Sequence, residues 1–301
     1  MENKRTAHLA AIFLMVVWSL SYLSIKVIVV EVEPTLAAFY RFLIASLILF
    51  FIHKHKYPNE NILKEDKLKM MLSGLFGVSL YFFFENYSVK FTSAANVAIL
   101  IATIPIFTLP VQKIIFNEKI GLFKIIGATF SVVGIIIIII SKEKVSLFSK
   151  GSIGDFMAFA GVISWIVYNV ITSKFKGNYK SITVTTYQVI WGTIFLSPAL
   201  FIGIAKKTVN IPSSKVILNI LFLAILCSFL GYLIYIYCLK KLGATTITTY
   251  INLQPIISIV AAKVILNETI TIWQVIGSII IILGVSLVSL SDEFNGIMLK
   301  K

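Results

Sequence analysis

Two ionisable residues, Arg41 and Glu85, interrupt apolar runs that are long enough to be membrane helices. Charges at such depth are costly and are kept where they meet a partner or a polar path. Three roles fit: the two residues form a structural ion pair, Arg41 binds a substrate carboxylate, or Glu85 takes up a coupling proton. If their helices run in opposite directions, Arg41 lies about 10 Å and Glu85 about 6 Å below the same surface, so that the arginine can reach the glutamate.

Aromatic and amide side chains occur along the same apolar runs. Amides deep in lipid need hydrogen-bonding partners, so we expect them to face a central cavity. A cavity lined by Tyr, Trp and amide groups suits a small, partly apolar organic molecule. The predicted cavity residues, the two charges included, are Trp18, Tyr22, Arg41, Tyr81, Glu85, Asn96, Trp165, Tyr168, Asn169, Gln188, Tyr232, Tyr250 and Asn252.

The sequence offers little for catalysis or metal binding inside these runs. The 3 histidines, His8, His53 and His55, lie at the ends of runs, and there is no HExxH motif and no buried pair of aspartates. An intramembrane enzyme needs a nucleophile with a base, or metal ligands, between its helices. Cys227 and Cys238 lie in one predicted helix, roughly 16 Å apart, which is too far for a disulfide. The sequence therefore predicts no metal and no cofactor.

One stretch of the chain occurs twice, at a constant offset of 150 residues. Composition alone could supply the shared isoleucines but not the paired Pro, Asn-Glu and Gly positions, so the stretch indicates an internal duplication. The first copy contains Pro105, Asn117, Glu118, Gly127 and Gly134, and the second contains Pro255, Asn267, Glu268, Gly277 and Gly284.

Each duplicated position predicts a structural feature. Pro105 and Pro255 lie near the middle of predicted helices, where proline removes a backbone hydrogen bond and produces either a packing kink or a hinge beside a cavity. The Asn-Glu pairs are expected to cap the helix that follows. The two glycines of each copy are two helical turns apart, and they predict tight packing because small residues let helix backbones approach closely.

The composition makes the bilayer the solvent of this chain. Of its 301 residues, 58% are hydrophobic and 13% are charged, and the mean hydropathy is +0.94. Soluble domains carry about 25% charged residues. The net charge of +14 comes from Lys and Arg that are scattered between the apolar runs, as in the loops of membrane proteins, so it does not indicate nucleic-acid binding.

Ten apolar runs are long enough to span a bilayer, which takes about 20 residues. Five runs fall in each copy, residues 1–145 and 146–301, and because five is odd the second copy enters the membrane upside down. We therefore predict an all-α membrane protein of ten transmembrane helices in two inverted repeats, a signature of secondary transporters. The runs are 8–29, 35–53, 67–89, 92–116, 121–141, 152–173, 183–205, 214–239, 244–266 and 270–290.

The positive charges predict the orientation of the chain. With the N-terminus inside, the inner segments hold 16 Lys and Arg residues and the outer segments hold 7. Cytoplasmic loops carry the excess of such charges. Both termini are therefore expected on the cytoplasmic side of the plasma membrane.

A set of residues spread over both copies is typical of one transporter family. The set comprises Trp18, the Pro34-to-Arg41 spacing, Tyr81, Pro105, Glu118, Gly127 and Gly134, with the repeats Trp165, Pro255, Glu268, Gly277 and Gly284. In these residues the chain resembles the EamA-type transporters of the drug/metabolite transporter superfamily, and the resemblance covers nearly the whole chain. It implies ten helices, a central cavity between two bundles, and alternating access without ATP.

Three functions remain open. The first is a secondary exporter of small metabolites, amino acids in the first place, whose partners are the lipid bilayer, a small-molecule substrate and a coupling proton or other ion. The second is a non-transporting membrane receptor or scaffold, although the sequence has no soluble domain and no long loop to bind a partner. The third is an intramembrane enzyme, which the placement of the histidines disfavours. No oligomeric state is predicted.

Overall fold

The computed structural model describes residues 2–91, 97, 100–117, 120–140, 152–205, 211–266 and 270–298. The predicted positions Asn96, Glu118, Asn267 and Glu268 lie outside these residues, as does the side chain of Tyr22. The described part of the chain is helical and contains no strand. Its elements are α1 (Glu2–Ile28), α2 (Pro34–Lys56), α3 (Lys64–Gly74), the π-helical segment π1 (Leu75–Leu80), α4 (Tyr81–Phe91), α5 (Ile104–Phe116), α6 (Leu122–Ile140), α7 (Ser152–Ser173), α8 (Ser181–Leu196), α9 (Pro198–Ala205), α10 (Ser214–Phe222), the π-helical segment π2 (Leu223–Leu230), α11 (Gly231–Leu242), α12 (Ala244–Ile251), α13 (Gln254–Leu266) and α14 (Ile272–Met298).

Seven helical segments of the described chain are long and apolar enough to cross a membrane. They make this a multi-pass membrane protein. The sequence predicts three further crossings. The first, 8–29, corresponds to α1, and the other two, 92–116 and 244–266, are each interrupted by a break in the helix. The seven segments are Pro34–Lys56, Lys64–Ser88, Leu122–Ile140, Ile153–Ser173, Ser181–Ala205, Ser214–Leu242 and Ile272–Ser291.

The two duplicated prolines do not lie inside continuous helices. α5 begins at Ile104 and α13 begins at Gln254, so that Pro105 and Pro255 each occupy the second position of a helix. Proline is tolerated there because the N–H that it lacks would have no partner within the helix. The prediction that both prolines interrupt the middle of a helix is therefore wrong, and each one instead follows a break in its apolar run.

The two breaks touch each other. Asn252 is fully buried in the break before α13, and its Nδ2 donates to Ser131 Oγ (2.8 Å) and to the carbonyl of Ala102 (3.4 Å). Ala102 lies 150 positions before Asn252 and just before α5. Equivalent points of the two halves therefore meet, as they do on a pseudo-two-fold axis.

Asn117 ends a helix and does not begin one. It follows α5 in the left-handed conformation (φ 54°), which asparagine adopts at helix C-termini more readily than most residues. The next helix begins only at Leu122. The prediction that Asn117 caps the following helix is therefore wrong.

The duplicated glycines lie where α6 crosses α14. A Cβ atom added at Gly127 would lie 2.5 Å from the carbonyl oxygen of Gly284, and one added at Gly134 would lie 2.6 Å from that of Gly277. Ascending residue numbers in one helix meet descending numbers in the other, so these equivalent helices run antiparallel. The two halves therefore have opposite orientations.

Replacing Gly134 with alanine is expected to lower the free energy of unfolding by about 1–3 kcal/mol, because the added methyl group overlaps the backbone of α14. The measurement is thermal unfolding of the purified protein in one detergent. Gly121→Ala is the matched control, since a Cβ atom at Gly121 would have no atom within 4 Å. Equal stability of the two variants would mean that α6 and α14 are not in contact.

Candidate functional site

Aromatic rings from both halves form a buried cluster between α1, α4, α7 and α11. Trp18 of α1 stacks on Tyr235 of α11 with ring centroids 5.6 Å apart. Trp165 of α7 lies 5.1 Å from Tyr235, 5.1 Å from Tyr168 and 4.7 Å from Tyr81, measured between ring centroids. The six residues called the aromatic cluster below are Trp18, Tyr81, Trp165, Tyr168, Tyr232 and Tyr235.

Two amides hold tyrosine rings of the cluster in place. The Tyr235 hydroxyl donates to Asn169 Oδ1 (2.8 Å), and the Tyr168 hydroxyl donates to Gln188 Oε1 (3.3 Å). The Gln188 amide donates in turn to Thr172 Oγ1 (2.9 Å). Buried tyrosine hydroxyls usually find such partners. The structure thus brings Asn169 and Gln188, both predicted to line a cavity, to the cluster.

One donor of the aromatic cluster lacks an acceptor. Trp165 Nε1 is buried, and within the described chain no acceptor lies in hydrogen-bonding geometry to it. The Tyr235 oxygen is close enough to interact with it but does not meet that geometry. Leaving a buried N–H unpaired costs about 1–3 kcal/mol. Such a group is therefore a natural donor to a bound ligand.

Two backbone carbonyls that serve the cluster come from equivalent π-helical segments. The Tyr232 hydroxyl donates to the carbonyl of Gly77 in π1 (2.7 Å), and Trp18 Nε1 donates to the carbonyl of Cys227 in π2 (3.1 Å). Gly77 and Cys227 are 150 positions apart. In a π-helix the backbone hydrogen bonds join residues five positions apart. Such segments are frequent at functional sites. Each half therefore supplies one backbone acceptor.

Arg41 of α2 is buried, with 5% of its surface exposed. Its Nε donates to Ser228 Oγ (2.8 Å), and its guanidinium carbon lies 5.1 Å and 5.0 Å from the ring centroids of Phe42 and Phe82. Aromatic faces at this distance attract a cation. A cavity of about 20 Å³, lined in part by Phe82 and Asn86, lies beside Arg41. Because arginine has five N–H donors, the bond to Ser228 leaves others for an anion.

Glu85 of α4 faces the same region but forms no ion pair with Arg41. Neither Arg41 nor Glu85 takes part in an ion pair among the described residues. Glu85 Oε1 instead accepts from the Tyr81 hydroxyl (3.1 Å), and the two charges interact at a longer distance. Of the three roles that the sequence allows for these residues, the structural ion pair is therefore wrong. Two opposite charges lie in one region without neutralising each other at close range.

Tyr250 and Asn252 belong to a second polar group. The Tyr250 hydroxyl lies 2.8 Å from His8 Nδ1 and 2.9 Å from Ser289 Oγ, which joins α12 to α1 and α14. Asn252 contacts Ser131 of α6. The structure thus divides the predicted cavity residues that it describes between the aromatic cluster with its charges and this group beside the helix breaks.

Sequence reasoning missed Tyr235 and Ser228 as site residues. Tyr235 follows Tyr232 by three positions, so helical spacing alone would place both on one face of α11. Ser228 carries no such signal, because a serine in an apolar helix commonly bonds its own backbone. Only the fold brings Ser228 to Arg41, which lies 187 positions earlier.

A contact that we call the Asp66 junction closes the end of the bundle that holds the N-terminus. The carboxylate of Asp66 is fully buried; its Oδ1 accepts from Lys69 Nζ (2.7 Å). Its Oδ2 accepts from the Lys176 N–H (2.9 Å), the Gly177 N–H (3.0 Å) and the Tyr179 hydroxyl (2.9 Å). Burial raises the pKa of Tyr179, so its hydroxyl stays a donor. The junction ties the first turn of α3 to the loop between α7 and α8.

A second contact closes the opposite end. Glu31, between α1 and α2, accepts from the backbone N–H and the hydroxyl of Ser213, both at 2.7 Å. These two hydrogen bonds, the backbone one first, lower the pKa of Glu31. Ser213 precedes α10 and Asp66 lies in the first turn of α3, the equivalent helix of the first half, so equivalent elements form the two contacts. This contact is exposed, whereas the Asp66 junction is buried.

These features define a multi-pass helical membrane protein of two oppositely oriented halves, with a buried aromatic and charged site between them. The chain belongs to the EamA-like transporter family, whose model matches residues 5–140 and 152–290. The family is one of membrane transporters, and one match falls in each half of the chain.

Its relatives are named as transporters. An uncharacterized transporter of Archaeoglobus fulgidus is 33% identical over 287 residues, which cover 95% of this chain and 97% of the relative. A probable amino-acid metabolite efflux pump of Salmonella typhimurium is 25% identical, with 91% of each chain covered. A protein of known crystal structure matches with a TM-score of 0.77 over 96% of this chain and 99% of its own, at 16% identity, which shows the fold alone.

Proposed function

We propose that the chain is a secondary exporter of small metabolites, with amino acids as the first candidate substrates. The observation that carries the proposal is the aromatic cluster, in which Trp165 Nε1 has only a poorly aligned contact to the Tyr235 oxygen, next to the buried charge of Arg41. Both halves contribute rings to this region. The name of the Salmonella typhimurium relative, a probable amino-acid metabolite efflux pump, supports the choice of substrate class.

An amino acid matches the charges of this region. Its carboxylate would accept from the free N–H groups of Arg41, and its ammonium group would approach Glu85. An apolar or aromatic side chain would pack on Trp165 and Tyr81, as aromatic pairs do. A ligand that brings one charge of each sign compensates the buried charge of Arg41 and the half-buried charge of Glu85, which offsets the cost of keeping them from water.

Alternating access would open the two ends of the bundle in turn. We expect ten membrane crossings in two repeats, residues 1–145 and 146–301, that move against each other around the site. The Asp66 junction would separate to open one end, and the contact between Glu31 and Ser213 would separate to open the other. The excess of Lys and Arg favours a cytoplasmic, plasma-membrane location for the end that holds both termini. Glu85 is the candidate carrier of a coupling proton.

The test is transport by the purified protein in proteoliposomes, with a panel of amino acids offered with and without a proton gradient. At least one amino acid should move, and an imposed gradient should change its rate. Trp165→Ala is expected to lower that rate by about tenfold, because it removes the ring and the free N–H at once. Trp273→Ala is the matched control, since Trp273 is 57% exposed on α14.

Two results would contradict the proposal. If Trp165→Ala and Trp273→Ala lose activity in equal measure, the aromatic cluster is not the binding site. If the folded protein moves no solute in either direction while it binds a partner protein, the result supports a membrane receptor or scaffold and not a transporter.

A further inference from the structure

An apolar groove runs along the membrane-facing side of the protein between α5 and α7. Its volume is about 360 Å³, within the range of roughly 300–1,000 Å³ that ligand pockets occupy. α5 lines it with Phe107, Val111 and Ile115, and α7 lines it with Phe159, Ile163 and Val170 among others. Phe107 and Phe159 meet at one end with ring centroids 5.5 Å apart.

The groove has the length of one leaflet of a bilayer. From Phe159 to Val170, α7 rises by about 16 Å at 1.5 Å per residue. The hydrocarbon core of a bilayer is about 30 Å thick, so one leaflet takes half of that. Ile163 is 48% exposed and Ile115 is 41% exposed, which leaves the groove open to lipid along its side. These dimensions suit one acyl chain.

A positive charge lies at the end of the groove away from Phe107 and Phe159. Lys174 follows Val170 by one helical turn, and its Nζ lies 5.8 Å from the ring centroid of Phe116, the last residue of α5. The side chain of Lys174 is exposed. Basic residues at the membrane surface attract anionic lipid head groups. A lipid whose acyl chain fills the groove would therefore have its head group next to Lys174.

The described residues at the pseudo-symmetric position make different contacts. The equivalent helices are α1 and α13, and there Ser19 Oγ donates to the carbonyl of Gln254 (3.3 Å) while the Gln254 amide contacts Met15 Sδ (3.7 Å). Polar contacts therefore join α1 to α13 where apolar side chains line the groove between α5 and α7, so the apolar lining does not follow from the duplicated fold itself.

We propose that this groove binds one acyl chain of a phospholipid with an anionic head group, whose phosphate contacts the ammonium group of Lys174. The site is separate from the aromatic cluster and does not depend on what the protein transports. Such a lipid would fill the space between α5 and α7 beside the break that precedes α5.

Native mass spectrometry of the purified protein tests this assignment, with phosphatidylglycerol and phosphatidylcholine of identical chains offered in equal amounts. The wild type should retain phosphatidylglycerol preferentially. Lys174→Glu should lower its retention at least about fivefold, because it removes one basic residue near the anionic lipid and adds an acidic one. Val167→Trp, which fills the groove, should reduce retention of both lipids. Lys113→Glu is the matched control, an equal change of charge near the end of α5 but on a face turned away from Phe107 and Val111.

Three outcomes would overturn the proposal. They are equal retention of the two phospholipids by the wild type, an equal effect of Lys113→Glu and Lys174→Glu, and retention of added oleate in place of phosphatidylglycerol, which would make the groove a fatty-acid site. Lys174→Glu changes an exposed side chain outside the helix, so the lipid retention of this variant tests the proposal even if Val167→Trp does not fold.

Discussion

Replacing Asp66 with alanine is expected to lower the free energy of unfolding by about 3–5 kcal/mol, the cost of removing one partner from a buried charged contact. The Asp66 carboxylate is fully buried and accepts four hydrogen bonds, from the side chains of Lys69 and Tyr179 and from two backbone N–H groups. Without it, the Tyr179 hydroxyl and the two N–H groups lose their acceptor at a partly buried position, and Lys69 keeps only the carbonyl of Lys174 (2.9 Å). Thermal and chemical unfolding of the purified protein in one detergent measure the loss.

Ser213→Ala is the control at the opposite end of the bundle. It removes the hydroxyl that donates to Glu31 and that accepts from the Val216 N–H (3.4 Å) as the N-cap of α10, so we expect a loss of about 1 kcal/mol. The difference between the two variants measures how unequally the ends are held closed. If Asp66→Ala is no less stable than Ser213→Ala, the Asp66 junction does not hold the start of α3 to the loop between α7 and α8.

Apolar length and the duplicated glycines predict much of this fold. A long apolar run can satisfy its backbone in lipid only as a helix, and glycines at equal spacing in two copies indicate where helices approach closely. The local backbone is less predictable. π1 and π2 are only 6 and 8 residues long, and a shift in hydrogen-bond register over so few residues leaves the apolar pattern unchanged. The helix breaks before Pro105 and Pro255 cannot be predicted from hydrophobic periodicity either, because they too leave the apolar pattern unchanged.

The sequence predicts which residue types form the candidate site, but it does not predict which side chains contact each other. Polar groups in an apolar helix must find partners, which is why Asn169 and Gln188 are recognisable from the sequence and do contact tyrosines. Which partner a side chain finds depends on the packing of distant elements. Arg41 is long enough to reach Glu85, yet it bonds Ser228 and lies against two phenylalanine rings. Helix depth alone therefore predicts a shared region and not a contact.

Replacing Arg41 with glutamine is expected to raise the half-saturation concentration of a transported amino acid about tenfold or more. Hydrogen bonds from a charged donor to a carboxylate are worth about 1.5–3 kcal/mol, and glutamine retains the polarity without the charge. Early in each half the copies align at an offset of 147 residues, which pairs Trp18 with Trp165 and Arg41 with Gln188, a glutamine that is fully buried. Transport rates in proteoliposomes over a range of substrate concentrations give the value.

The substrate itself separates a binding role of Arg41 from a structural one. The amine that corresponds to the amino acid but lacks its carboxylate should be transported at equal rates by the wild type and by Arg41→Gln, since the lost interaction is with the missing group. Ser228→Ala keeps the charge and removes only the contact to Nε, so it should affect both compounds slightly and alike. If Arg41→Gln slows the amino acid and the amine equally while the melting temperature is unchanged, Arg41 acts in the conformational change and does not bind the carboxylate. If the variant loses folded protein in proportion to activity, the guanidinium is a packing element between Phe42, Phe82 and Ser228, and the carboxylate must be bound elsewhere.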